Sequence, residues 1–291
     1  MRNFIITPIL LLINLISFSQ AKITTLQADG PGDTYQLIDS VLAPLKGSAI
    51  ESPGLKIGDC DNHSYYKSTD NNAHHITEID DPEIGPVFQF AIHAKEDIDR
   101  NKCGKKDRQR NEIKTYRSSP DYLKATIGEK IEYKWTMKLP NNFKAFDRFT
   151  HFHQIKSVGA DDDGDKTPLI TFTAYEKPSG ESLHIRYGPA DTQETLTKVP
   201  LSEFKGNWVE FTETIDFKKG KKGNYHIVMK NIKTGKTILD FKHKGIMYKK
   251  GSDLMRPKWG IYRSLKSPNN IKDENILFGY FKISEYNSNH I

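Results

Sequence analysis

The sequence predicts an all-β fold, a jelly-roll sandwich of two antiparallel sheets, and three observations predict it. The first is a clean period of two. Ile131, Tyr133, Trp135, Met137 and Leu139 alternate with Glu132, Lys134, Thr136 and Lys138, as in a strand with one face in a core. The second is a succession of strand-like segments from Val87 onward, separated by turn residues such as Pro178-Ser179-Gly180 and Lys233-Thr234-Gly235-Lys236. The third is what does not interrupt them: no helical period longer than a few turns and no repeat of fixed length, which argues against a βαβ protein or a propeller. Many antiparallel strands in one domain of this size close best as two packed sheets.

Taken in order, the 291-residue chain opens with Met1-Arg2-Asn3, an apolar block from Phe4 to Ile16, and Ser17-Phe18-Ser19-Gln20-Ala21. A basic start, a hydrophobic middle and a small-residue exit make residues 1–21 a secretory signal peptide. The mature chain, residues 22–291, is expected to be one domain with a loop-rich N-terminal part over 22–86. Gly and Pro punctuate that part around a short amphipathic helix, Thr34 to Leu42, and from Cys60 to Pro86 it is polar, with His74-His75 read as loop residues or substrate contacts. The expected strands are Val87–Ala94, Arg110–Arg117, Ile131–Leu139, Phe149–Ser157, Leu169–Tyr175, Ser182–Tyr187, Trp208–Phe217, Tyr225–Asn231, Thr237–Lys242, Lys258–Ser264 and Ile276–Glu285.

After the signal no segment approaches the ~20 apolar residues that span a bilayer, so a soluble, exported, monomeric protein is expected. In an oxidising compartment the two cysteines, Cys60 and Cys103, are expected to form one disulfide. The formal charge of +6 and pI near 9.0 suit a polyanionic partner. For an exported protein an acidic polysaccharide fits better than nucleic acid, and no membrane partner is expected.

Three strands carry candidate chemistry. In His151-Phe152-His153-Gln154-Ile155-Lys156, alternation puts Phe152, Gln154 and Lys156 on one face and His151, His153 and Ile155 on the other. An amide beside an amine suits a sugar carboxylate and a proton next to it better than it suits packing. In Arg110-Asn111-Glu112-Ile113-Lys114, the residues Arg110, Glu112 and Lys114 share a face, which alone could be a solvated sheet surface. In Lys258-Trp259-Gly260-Ile261-Tyr262-Arg263-Ser264, Lys258, Gly260, Tyr262 and Ser264 share a face, and the glycine leaves room for something to approach the backbone.

Together, and in this order, the three resemble the jelly-roll polysaccharide lyases, the alginate, glucuronan and heparin-type enzymes. Those carry an Arg-x-Glu-x-Arg strand, a Gln-Ile-His strand and a Tyr-Phe-Lys-x-Gly-x-Tyr-x-Gln strand along one concave cleft. The resemblance spans roughly residues 28 to 286. This chain departs from the pattern with Lys156 in place of the histidine, Lys114 in place of the last arginine and Ser264 in place of the glutamine. A lysine there is similar to the jelly-roll ulvan lyases, as is the run from Asp107 to Lys114, and implies a Lys156 base with a Tyr262 acid acting on ulvan or a related uronate polymer.

Such a lyase removes the C5 proton beside a carboxylate and expels the 4-linked sugar, so donors must stabilise a developing dianion. Arg110, Gln154 and Arg186 are the candidates for that role, with Glu112, Lys114, Lys258, Arg263 and His153 as further substrate contacts. Lys156 acts as a base only when neutral, which neighbouring cations and burial favour. Two other readings stay open: Lys156 binds the acid while Tyr262 moves both protons, or His153 is the base. Elimination needs no redox cofactor; a structural calcium at Asp161, Asp163 and Asp165 is an option. A glycoside hydrolase would need facing carboxylates, but Glu213 points away from Glu210 and Asp216 on its strand. A non-catalytic carbohydrate-binding module is the remaining alternative.

Overall fold

Alternation decides the sheets, and it is strictest in Val209–Asp216, where every second residue is buried. The structure, a computed structural model, describes residues 21–53, 74–95, 97–100, 107–161, 165–266 and 271–286. Its elements are β1 (Lys22–Gln27), α1 (Thr34–Leu42), β2 (Ile50–Glu51), β3 (Ile76–Asp81), β4 (Gly85–Ile92), β5 (Arg108–Lys114), β6 (Lys130–Lys138), β7 (Thr150–Val158), β8 (Ile170–Lys177), β9 (Gly180–Tyr187), β10 (Glu194–Pro200), β11 (Val209–Asp216), β12 (Gly223–Asn231), β13 (Thr237–Gly245), β14 (Leu254–Ser264) and β15 (Glu274–Tyr286). One sheet has the order β13-β12-β11-β6-β15-β4-β3, with β1 on β15; the other runs β10-β9-β8-β7-β14-β5-β2. Neighbouring strands are antiparallel. The inner faces share an aromatic core in which Trp135 stacks on Phe211 at 5.0 Å and meets Trp259 edge-on at 6.1 Å. Each such pair contributes about 0.5–1.5 kcal/mol beyond area burial.

The predicted helix and the strands from residue 87 onward are present. Four strands were not expected. β3 lies in the stretch read as a polar loop, because its inward Glu78 and Asp81 are poor strand signals that tertiary partners satisfy. Glu78 accepts from the Asp29 and Gly30 amides at 2.7 and 2.9 Å, and Asp81 accepts from Trp208 Nε1 at 2.9 Å. β10 is a largely exposed edge without alternation, and β1 and β2 are a short edge pairing on each sheet. The signal segment and both cysteines, with the expected disulfide, lie outside the described residues.

Every residue of β14 is buried although four of its eleven are Arg, Lys or Ser. One face lies in the core and the other lies under a mesh of charged side chains. The register also slips here. Trp259 pairs with His153 but Tyr262 with His151, while on the far side of β7 Phe152 is an extra residue against β8. These bulges turn the strand between His151 and His153. Gly260 sits in the slip at φ +137°, and a Cβ there would come within 2.7 Å of Glu112 Cα on β5. The backbone that approaches this glycine is therefore the neighbouring strand. Gly260→Ala should destabilise the fold by at least ~1–3 kcal/mol, the usual scale for such a conformation, read as a lower denaturant midpoint; an unchanged midpoint would show that the slip is dispensable.

Candidate active site

The register of the second sheet lines polar residues up across five strands. One row runs Arg110, Tyr262, His151, Thr173, His184, and a second runs Lys114, Lys258, Gln154, Thr171, Arg186; beside the second row Lys156 pairs with Arg256. Above these rows lies a cavity of about 550 Å³, lined among others by Arg100, Arg108, Arg110, Phe149, His151, Gln154, Lys156, Lys166 and Tyr262. Four of the expected site residues, Arg110, Gln154, Lys156 and Tyr262, are thus brought together around one space.

The floor beneath them is a buried ion network. Glu112 is fully buried and accepts from Arg110 Nη1 at 2.5 Å, from Lys258 Nζ at 2.8 Å and from Gln154 Nε2. Glu51 binds Lys258, Lys114 at 2.8 Å and Arg100 at 3.0 Å, while Asp99 accepts from Arg110 Nε at 2.9 Å. Burial pushes the Glu112 carboxyl up, but Lys258 and Arg110 outweigh it and hold it down to about 2; Glu51 is lowered by Lys258, Arg110 and Lys114 against its own burial. Burial and Arg110 bring Lys258 down to about 8, which leaves it charged at neutral pH beside its two carboxylates.

Tyr262 is held from two sides. Arg108 Nη1 donates to its hydroxyl oxygen at 2.9 Å, and the Arg110 guanidinium lies 3.8 Å from its ring centroid. Burial raises its pKa above the usual 10.0 despite both arginines, so the phenol stays protonated at neutral pH. With its oxygen accepting from Arg108, the O–H is free to donate. Lys156 is the opposite case: burial, then Lys258, Arg256 and Arg110, push its ammonium down to about 7. Half the amine is then neutral near pH 7, the condition a lysine base requires.

Several expected contacts lie elsewhere. His153 is fully buried between the sheets, where Nδ1 donates to the Lys258 carbonyl at 2.9 Å and Nε2 meets Glu213 Oε2 at 2.8 Å. It therefore contacts no substrate and is no base. His151 takes its place at the cavity because the bulge at Phe152 turns it there, with Nδ1 against Thr173 Oγ1 at 2.8 Å. Burial, against Glu112 and with Arg186, Arg110 and Lys156, lowers its pKa to about 3, so it is neutral. Arg263, also expected as a contact, faces away from Tyr262 and is buried, donating to Gln109 Oε1 at 2.9 Å and to the Lys272 carbonyl at 2.7 Å. Lys258 and Glu112 are floor rather than wall, at 2 % and 0 % exposure with their charges spent on each other. Lys114 is bound to Glu51 outside the cavity lining. Arg186 lies in an adjoining cavity of about 410 Å³ with Arg148, Tyr175, Lys177 and His184, and Phe149 lines both.

Among residues not expected, Arg108 and Arg256 stand two places from Arg110 and Lys258 on the same strand face, so alternation alone would have found them. Glu51, Asp99 and Arg100 come from segments with no signal of their own. In the acidic loop, Asp165 accepts from the Gly159 and Ala160 amides at 2.7 and 3.1 Å, and Asp161 pairs with Lys250 at 3.4 Å; Asp163 lies outside the described residues. His75, His93 and Asp97 place ligand atoms within 4.8 Å of one another, yet His75 Nε2 and Asp97 Oδ1 already hydrogen-bond at 2.8 Å. His74, the other half of that pair, stacks on Tyr35 at 4.3 Å.

Residues 57–280 match the polysaccharide lyase family. This chain belongs to that family. The lyase is similar in fold to the endo-β-1,4-glucuronan lyase of the fungus Trichoderma reesei, at 13 % identity over 80 % of this chain and 93 % of that one, with a TM-score of 0.51. It is similar as well to an alginate lyase from Aplysia kurodai, at 9 % identity over 89 % and 97 % with a TM-score of 0.52. A third similar structure is an alginate lyase mutant in complex with an alginate tetrasaccharide, at 11 % identity over 91 % and 97 % with a TM-score of 0.50. No curated protein matches the chain by sequence.

A lysine whose pKa falls on folding destabilises the fold wherever its unfolded form is protonated. Unfolded Lys156 titrates near ~10.4 and folded Lys156 near 7, so stability rises with pH between these values and the deficit is complete below about 7. Lys156→Met should therefore melt higher than wild type at pH 6.5, by about 2–4 °C per kcal/mol relieved, and the gain should shrink towards pH 10. A lower melting temperature at pH 6.5 would mean that the amine is not strained.

Proposed function

We propose that this lyase cleaves a uronic-acid-containing anionic polysaccharide, with ulvan as the best candidate, by β-elimination outside the cell. The observation that carries the reading is that Lys156, depressed to about 7, and Tyr262, kept protonated, line one cationic cavity. Neutral Lys156 takes the C5 proton, and the C5–H electron pair delocalises onto the carboxylate oxygens, where the cations and donors of the cavity, Arg110 foremost, stabilise the dianion; the pair then forms the C4=C5 double bond as the leaving oxygen departs. As the C4–O bond breaks, Tyr262 gives its proton to the leaving oxygen, and Arg108 stabilises the phenolate that forms. Proton transfer from Lys156 ammonium back to Tyr262, directly or through solvent, restores both groups. The products are an unsaturated uronate end and a new 4-hydroxyl end.

Ulvan rests on the lysine at position 156 and the run from Asp107 to Lys114, which resemble the ulvan group; glucuronan, alginate and heparin-like chains are the alternatives. Export rests on the N-terminal signal pattern. The test is absorbance from the new double bond during incubation with each of the four polymers. Lys156→Met and Tyr262→Phe should each lower that rate by ~10²-fold or more, and full activity in Lys156→Met would remove it as the base.

A second reading takes His151 as the base, since it is neutral and lines the cavity. The pH profile separates the two. With Lys156 as base, kcat/KM rises through an apparent pKa near 7, and Arg256→Met, which removes a cation beside Lys156 in register, moves that limb to higher pH. With His151 as base, kcat/KM is flat from pH 5 to 8 and indifferent to Arg256.

A further inference from the structure

The charge of this lyase is not spread over its surface. Residues 218–251 contain eleven lysines and one acid, Asp240, so this stretch carries +10. With +6 for the whole chain, everything else sums to −4. A basic excess kept for solubility would be mixed with acids over the surface; here it sits on one hairpin and the turns at its end.

The structure gathers part of it around a second space. Lys218, Lys219, Lys221 and Lys222 form the exposed turn between β11 and β12, at the end where Gly223 pairs with Gly245 and Asn224 with the exposed Lys244. None of these five lysines has an acidic partner among the described residues, whereas Lys236 pairs with Glu203, Lys250 with Asp161 and His226 with Asp240. Beside the turn is a cavity of about 540 Å³ whose lining includes Ile127, Ile246 and Tyr248 with Lys219, Lys249 and Lys250. Tyr248 is fixed by its hydroxyl, which donates to the Ser252 carbonyl at 2.9 Å. An apolar wall with a tyrosine, with the exposed Lys219 and Lys250 at its edge, matches a sugar ring that carries a carboxylate or sulfate: the C–H face packs on the aromatic side and the anion meets lysine.

The position relates this space to the catalytic cavity. Lys166 and Pro168 line the catalytic cavity, and Lys249, which lines the second space, donates to the carbonyl of Thr167 between them at 2.5 Å and to that of Ala190 at 3.2 Å. The loop of residues 165–168 is thus held by a residue of the second space and faces the first. We propose that this end of the sandwich is a second polyanion site, which holds a carboxylated or sulfated polysaccharide chain outside the catalytic cavity and keeps the polymer on the enzyme between cuts. The proposal rests on the polymer being anionic.

The test is the variant carrying Lys218→Glu, Lys219→Glu, Lys221→Glu and Lys222→Glu, with its melting temperature checked against wild type. On unsaturated-product formation from short oligosaccharides its kcat/KM should stay within about twofold of wild type, because these lysines are outside the catalytic cavity. On the polymer at low salt KM should rise about tenfold, the scale of lost electrostatic attraction, and the difference should vanish near 1 M salt, where the screening length is ~3 Å. Retention in native gels containing alginate or ulvan, measured on the Lys156→Met background so that no chain is cut, should fall in parallel. Equal KM on polymer and oligosaccharide in both proteins, or unchanged gel retention, would overturn the site. So would loss of binding to phosphatidylserine vesicles without loss of polysaccharide retention, which would make it a membrane-facing surface. The gel measurement needs no catalysis, so it still reads this site if wild type yields no double bond from any of the polymers.

Discussion

Glu112 is the group on which the polar sheet face depends. It has no exposed surface, and its oxygens meet Arg110, Lys258 and Gln154 from three neighbouring strands. A buried carboxylate is tolerated only when its charge is met, and removing one partner of a buried pair typically costs about 3–5 kcal/mol. Glu112 therefore ties β5, β14 and β7 together at the level where the cavity opens. Glu51 and Asp99 extend the same arrangement sideways. The carboxylates let four cations, Arg100, Arg110, Lys114 and Lys258, crowd one face without flying apart.

That crowding has a chemical result. The charges of Lys258 and Arg110 are largely met by Glu112 and Glu51, yet enough positive potential remains, with burial, to depress Lys156. On Tyr262 burial acts in the other sense and raises the pKa; Arg110, now with Arg108, still lowers it, but burial prevails and the phenol keeps its proton. Two titratable groups lining one cavity are thus driven to the protonation states an elimination needs, one neutral and one protonated. Arg108, bound to Asp107 as well as to the phenol oxygen, offsets part of the burial that raises Tyr262 and is placed to stabilise the oxygen once its proton has left.

The second constraint is the pair of bulges around Phe152 and Gly260. Without them strict alternation would point His151 into the core beside His153. With them, His153 goes inward to a polar contact with Glu213 on the opposite sheet, and His151 goes to the cavity. The glycine at 260 is required by the close approach of β5, so the slip is built into the backbone rather than imposed by a ligand.

How much could be read in advance differs from residue to residue. The sandwich was legible because alternation in segments such as β6 and β11 is a direct imprint of a one-sided core, and the pairing of Gln154 and Lys156 with the faces of β5 and β14 followed from the same parity. Arg108 and Arg256 were legible by that rule too. His151 was not, because a bulge changes parity and leaves no local mark beyond a glycine on a different strand. Nor was the role of Lys258, which parity places on the working face but which Glu51, more than two hundred residues earlier in the chain, draws into the floor. The sequence by itself determined the strands, the face each side chain takes in a regular strand, and the set of groups available for chemistry, since these depend on local geometry. Only the tertiary structure decided which of those groups are spent on one another and which remain free for a substrate, because burial and the distance between charges are properties of the assembled sheet.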